Sequence, residues 1–186
     1  VTLPYSKKLF GVPKNVYLIG TMNTADKSLT GLDIALRRRF VFKEMSPKPA
    51  LLDKVTISGL SVGQMLRSIN QRIEVLLDRD HCIGHAYFLP LDQDPTIERL
   101  SAIFKQQVLP LLEEYFFEDW ERIGWVLNDH RTEGEPFIKT GDQGSISLTK
   151  LFGVKVASEL RDKRWSVNEA AFTSIGNYIN IVGAPE

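Results

Sequence analysis

The chain has 186 residues, with 23 Lys+Arg against 23 Asp+Glu, so its formal net charge is zero. Hydrophobic residues make up 43% and charged residues 25%, which excludes bulk disorder and disfavours a binder that relies on excess positive charge to displace counterions from nucleic acid. The single cysteine, Cys82, excludes an internal disulfide and a four-thiolate zinc site, and no apolar run approaches the roughly 18 residues of a membrane-spanning helix. Val1-Thr2-Leu3-Pro4 does not read as a signal peptide, and without an initiator Met the chain is expected to be a piece of something longer.

In chain order, the run 16–19 (Val-Tyr-Leu-Ile) is continuously apolar and closed by Gly20, the pattern of a strand buried on both faces. A polar loop follows from Thr21 to Ser28. Leu32, Ala35 and Leu36 then mark a short helix ending in Arg37-Arg38-Arg39, cations that suit the negative end of its dipole. Phe40-Val41-Phe42 reads as a second strand, and the whole as one βαβ unit. Beyond Pro47 and Pro49 the character changes. Val62, Met65, Leu66, Ile69, Ile73, Leu76 and Leu77 recur at helical spacing. A loop carries residues 81–88. Asp94-Pro95 is expected to cap a helix through Ile97, Leu100, Ile103, Phe104 and Val108, with Pro110 kinking or ending it before 111–116 resume the pattern. Trp120, Ile123 and Leu127 suggest a further helix. Residues 128–145 read as loop and 146–148 as a strand candidate. Ser166-Val167-Asn168-Glu169 is a capping box opening a helix through Ala170, Phe172, Ile175 and Tyr178.

A phosphate-binding loop needs Gly-x-x-x-x-Gly-Lys-Ser/Thr, and the sequence holds no Gly-Lys pair. Glu113-Glu114 lies in a helical pattern, a poor setting for magnesium. His81 and His85 are separated by Gly84 and lack an adjacent Glu, which argues against a zinc protease site, so no metal ligands are assigned. Cys82 reads more naturally as a buried small side chain than as a nucleophile.

The informative stretch is 16–42. Asn23 falls just past the C-terminal end of the expected buried strand, where open α/β sheets bind ligands. Its amide could donate to a phosphate oxygen, and the arginine forks suit phosphate as well. Two plainer readings stay open: Asn23 and Asp26 making turn hydrogen bonds, and the arginines forming a solvated helix end.

Residues 20–28 (Gly-Thr-Met-Asn-Thr-Ala-Asp-Lys-Ser) followed by 32–40 (Leu-Asp-Ile-Ala-Leu-Arg-Arg-Arg-Phe) resemble the McrB family, AAA+ motor subunits of 5-methylcytosine-specific restriction systems. The likeness continues in Ile83-Gly84-His85-Ala86-Tyr87-Phe88 and in residues 110–117 (Pro-Leu-Leu-Glu-Glu-Tyr-Phe-Phe). The resemblance implies an α/β plus mostly α chain: the C-terminal part of an AAA+ P-loop NTPase core, with its sensor-1 strand, arginine-finger helix and last core strand, and then a helical lid with a small β element. The implied division is 1–45 core, 46–130 lid and 131–186 an extension completing the lid.

On this resemblance Asn23 occupies the sensor-1 position, and Arg37, Arg38 and Arg39 the arginine-finger region that reaches a neighbouring subunit's nucleotide. Asp26 and Lys27 face nucleotide and interface, Lys27 replacing the family's Arg and losing its bidentate fork. Asp33 could tether an arginine. His85 and Tyr87 fall in the lid, where packing and interface contacts are favoured over catalysis. The implied substrate is GTP or ATP with Mg²⁺ in the full-length protein, and this chain alone is expected to be inactive and to bind no nucleotide tightly. The implied partners are a homo-oligomeric ring, expected to be a hexamer, and an McrC-type endonuclease, with DNA contacted through other domains, no membrane, and a cytoplasmic location. The alternatives are a non-catalytic AAA-like interaction module and a different AAA+ remodelling ATPase.

Overall fold

The computed structural model describes residues 1–23, 25, 38–132, 134–140, 146–160 and 164–183. The chain divides into two units, Val1–Val41 and Phe42–Glu186.

In the first unit nearly every described residue is exposed. Its start is a small loop in which Thr2 bridges Leu9 and the Phe10 N–H donates to the Val1 carbonyl at 2.8 Å. The run 16–19 forms no strand, with Tyr17 87% and Ile19 95% exposed. Residues 40–42 form none either, Arg38 and Arg39 lying in a turn and Val41 fully exposed. Both expectations presumed a parallel sheet, where ladder bonds and covered faces stabilise each strand. Among the described residues of this unit nothing supplies either. The helix expected through Leu32, Ala35 and Leu36 lies outside the described residues.

The second unit is mostly helical with two small antiparallel sheets. A 3₁₀ turn, Pro49–Leu52, leads into a two-residue hairpin, β1 (Thr56–Ile57) and β2 (Leu60–Ser61), pairing Thr56 with Ser61 and Ile57 with Leu60. Helix α1 (Val62–Leu76) follows at once, because Ser61 caps it by accepting from the Gln64 N–H at 3.4 Å. Its apolar stripe predicts the buried face: Val62, Met65, Leu66, Ile69 and Ile73 are fully buried. Each is worth about 1.5–3 kcal/mol relative to exposure.

Helix α2 (Ile97–Ile103) is capped by Thr96, which accepts from the Arg99 N–H at 3.3 Å, and not by Asp94. The Asp94 N–H is drawn back to the Pro90 carbonyl, ending the 3₁₀ helix His85–Asp92, so Asp94 serves instead by accepting from the Thr96 hydroxyl at 3.0 Å. Pro110 neither ends nor breaks the path. A π turn at Phe104–Val108 precedes α3 (Leu109–Phe116), and the Leu109 N–H reaches back five residues to the Phe104 carbonyl. This wider turn places proline near the start of a fresh helix, where its missing N–H costs least. Helix α4 (Trp120–Val126) is capped by Asp119, accepting from the Arg122 N–H at 3.2 Å.

Beyond α4 the sequence reading needs three corrections. The stretch expected as loop contains a strand, β3 (Ile138–Thr140), paired antiparallel with β4 (Trp165–Val167). Residues 146–148 form no strand but lead into α5 (Leu148–Ala157), which Ser147 caps. Ser166 sits in β4, so it opens no capping box; a 3₁₀ helix, Glu169–Thr173, precedes α6 (Ile175–Val182). Pairing between segments some 25 residues apart leaves no local trace, which is why periodicity misses β3.

The core of this unit packs α1 against α6, α4 and the 3₁₀ turn at Pro49–Leu52. Phe104, Phe137 and Tyr178 form its aromatic centre, with the Tyr178 ring 5.0 Å from Phe104 and 5.2 Å from Phe137. The Tyr178 hydroxyl donates to the Phe172 carbonyl at 3.1 Å, so this fully buried side chain leaves no polar atom stranded.

Candidate functional site in the lid

In the first unit, Asn23 is exposed and its Oδ1 accepts from the Ala25 N–H at 3.2 Å. This is an Asx turn, the plainer of the two readings. It commits the oxygen and leaves the amide NH₂ as the group suited to a phosphate. Arg38 and Arg39 are exposed in their turn. Asp26, Lys27, Asp33 and Arg37 lie outside the described residues.

In the second unit, the loop after α1 is built on Asn70. This buried side chain donates through Nδ2 to the Ile83 carbonyl at 2.9 Å and accepts at Oδ1 from the Ile83 N–H at 2.7 Å. Both polar groups of the Asn70 side chain are thereby satisfied by the backbone of one residue, and Ile83 is held fully buried beside α1. Sequence reading missed Asn70, since a lone polar residue on an apolar helical stripe is its only signal.

The clasp orients the neighbours. His81 Nδ1 lies 2.6 Å from Asp78 Oδ1, and its ring meets Tyr115 edge-on at 4.9 Å between centroids. Cys82 Sγ donates to the Asn70 carbonyl at 3.7 Å, and burial pushes its thiol pKa up, away from a reactive thiolate. His85 Nδ1 accepts from the Lys48 backbone N–H at 3.1 Å. That bond places the ring proton on Nε2 and gives His85 a positioning role on the entering chain. Tyr87 is 37% exposed. Of the lid residues read from sequence, His85 thus has a defined partner, and Arg79, unmarked in the sequence, joins it: Arg79 Nη2 meets Glu44 Oε1 at 2.6 Å.

A second constellation surrounds the end of α4. Asp129 accepts from the Phe137 and Ile138 N–H groups at 3.0 and 2.9 Å, one through each carboxylate oxygen, tying β3 to the helix. Burial pushes its pKa up to about 6 against the opposing pull of those two bonds. Arg72 of α1 donates to the Val126 carbonyl at 3.0 Å, serving a helix C-terminus with a cation. Beside Asp129 opens a cleft of about 530 Å³ lined by Trp120, Trp125, His130, Pro136 and Lys139. Trp120 stacks on Trp165 at 3.3 Å between ring centroids. Among the described residues no group of three His, Cys, Asp or Glu gathers to hold a metal ion, and no helix is long and apolar enough to cross a membrane.

These elements make a clasped helical unit with one short hairpin, β1–β2, and a second small sheet, β3–β4. Residues 61–124, from the Ser61 cap of α1 through most of α4, match the family described as McrB, alpha-helical lid domain. By this match residues 61–124 form a lid domain of the McrB type. The chain is 40% identical over 137 residues, 64% of its own length, to the Type IV methyl-directed restriction enzyme EcoKMcrB subunit of Escherichia coli (strain K12). The match covers 30% of that curated relative.

Proposed function

We propose that this chain is the lid-bearing end of an AAA+ motor subunit from a modification-dependent DNA restriction system. The observation that carries this is the extension of similarity to the EcoKMcrB subunit over 137 residues, well beyond the 61–124 lid match. In this reading Asn23 takes the sensor-1 position, its amide NH₂ aimed at a phosphate. Arg37, Arg38 and Arg39 supply a finger to the nucleotide of an adjacent subunit, Asp26 and Lys27 lie at that junction, and Asp33 tethers an arginine. GTP or ATP with Mg²⁺ is the substrate of the whole protein, a ring its assembly and an McrC-type endonuclease its partner, in the cytoplasm. This chain contributes parts and does not turn over alone. The exposed apolar run 16–19 supports the reading, because such a run is stable only when a larger sheet covers it.

The test is to exchange the matching segment of the EcoKMcrB subunit for this chain and follow nucleotide hydrolysis. The chimera is expected to hydrolyse nucleotide. Replacing Arg38 and Arg39 by Ala is expected to lower the rate by about 10³-fold or more with nucleotide binding retained. Full turnover without those arginines would show them to be structural.

A further inference from the structure

The two prolines, Pro47 and Pro49, mark the place where sequence character changes and where a flexible joint would be sought. The structure assigns the joint elsewhere: we propose that residues 44–53 are latched to the lid by Arg79, His85 and Arg67, so that the pivot between the lid and the preceding chain lies before Glu44.

The latch has three fastenings. Outermost, Arg79 Nη2 reaches Glu44 Oε1 at 2.6 Å and Ser46 Oγ at 3.2 Å, while the Ser46 hydroxyl donates to the same Glu44 oxygen at 2.6 Å. In the middle, the Lys48 N–H donates to His85 Nδ1 at 3.1 Å. Innermost, Arg67 Nη2 contacts both carboxylate oxygens of Asp53, the longer contact at 2.6 Å. Between the last two, Leu52 is fully buried. The two prolines fix their own φ angles, so they stiffen the segment between fastenings.

The holding residues are themselves held. Arg67 belongs to α1, and Arg79 and His85 flank the loop that Asn70 of α1 clasps at Ile83. Segment 44–53 is therefore fastened at successive points to one rigid element. The fastenings are graded. The Arg79 and Glu44 side chains are 65% and 67% exposed, so that pair is weak alone and releases first. The His85 bond takes a backbone donor, which has no rotamer freedom to lose. A rotation arriving through residues 38–43 is thus passed to the lid as a body and is not absorbed at the prolines. This depends on the bonds within the second unit and stands apart from the motor reading.

The experiment is backbone amide relaxation and hydrogen exchange on this chain. The amides of Glu44, Met45, Ser46 and Lys48 are expected to show the order of α1, with order parameters near ~0.85. His85→Ala should speed exchange at the Lys48 amide roughly ten-fold, and His85→Asn, whose Oδ1 can replace Nδ1, should restore it. Arg79→Ala should speed exchange at 44–46 about three- to five-fold and leave α1 untouched. Order parameters below about 0.6 at 44–48 in the unaltered chain would overturn the latch without recourse to any variant. So would a slow Lys48 amide indifferent to His85→Ala.

Discussion

Asn128 and Asn180 hold each other's backbone: Asn128 Nδ2 donates to the Asn180 carbonyl at 2.7 Å, and Asn180 Nδ2 to the Asn128 carbonyl at 3.2 Å. The residues are 52 apart in sequence, and the pair fastens α6 to the end of α4. Asn128 is nearly fully buried and left-handed, with φ of 64°. Asparagine tolerates that conformation better than most residues. Asn128→Ala loses both the bond and the backbone preference and is expected to cost about 2–3 kcal/mol. Asn128→Gly keeps the backbone and is expected to cost about 1–2 kcal/mol. Urea unfolding of both variants measures the difference, and equal losses would remove the conformational part of the argument.

Asp129 makes stability depend on pH. Its carboxyl titrates near about 6 when folded, because burial outweighs two backbone N–H bonds; an unfolded aspartate titrates near about 3.9. Between those values the folded chain holds a proton that the unfolded chain has released. Stability from this group is therefore full below about pH 4 and falls as pH rises through about 6, by no more than about 3 kcal/mol. Asp129→Asn should flatten that slope. Asp129→Ala, which strands both N–H groups, should cost about 2–4 kcal/mol at pH 4 and less as pH rises through about 6, where the unaltered chain loses its own share. Denaturant midpoints taken from pH 4 to pH 7 check all three statements.

Gly63 sits on the first turn of α1, where Ala would ordinarily help by about 1 kcal/mol. Here an added Cβ would collide with Asp53 Oδ1 and approach the Pro49 carbonyl to 2.9 Å. Gly63→Ala is therefore expected to destabilise the lid by about 1–3 kcal/mol, by forcing Asp53 off Arg67. A stabilised variant in thermal unfolding would refute this packing.

The proposed division of labour predicts that the isolated chain shows no micromolar binding of GTP or ATP. Titration calorimetry with Mg²⁺ present measures it directly. Micromolar heats of binding would mean the chain holds a complete nucleotide site, against its proposed role as a supplier of parts.

Local patterning sufficed for α1 and α4, whose apolar faces are short-range signals, while their Ser61 and Asp119 caps emerged only from the structure. The motifs around Asn23 and His85 likewise carried the family resemblance without any coordinates. Tertiary structure alone decided the remainder, because the deciding partners are distant in sequence. Strand β3 exists because β4 and Asp129 receive its backbone. His85 became a fastening because folding delivers the Lys48 N–H to it. The run 16–19 marks the opposite limit: residue order predicts a buried strand, but a strand needs neighbours, and no described residue of its unit pairs with it. The neutral composition set the class of molecule. The pairing of backbone donors with acceptors tens of residues away set which of its residues hold the lid together.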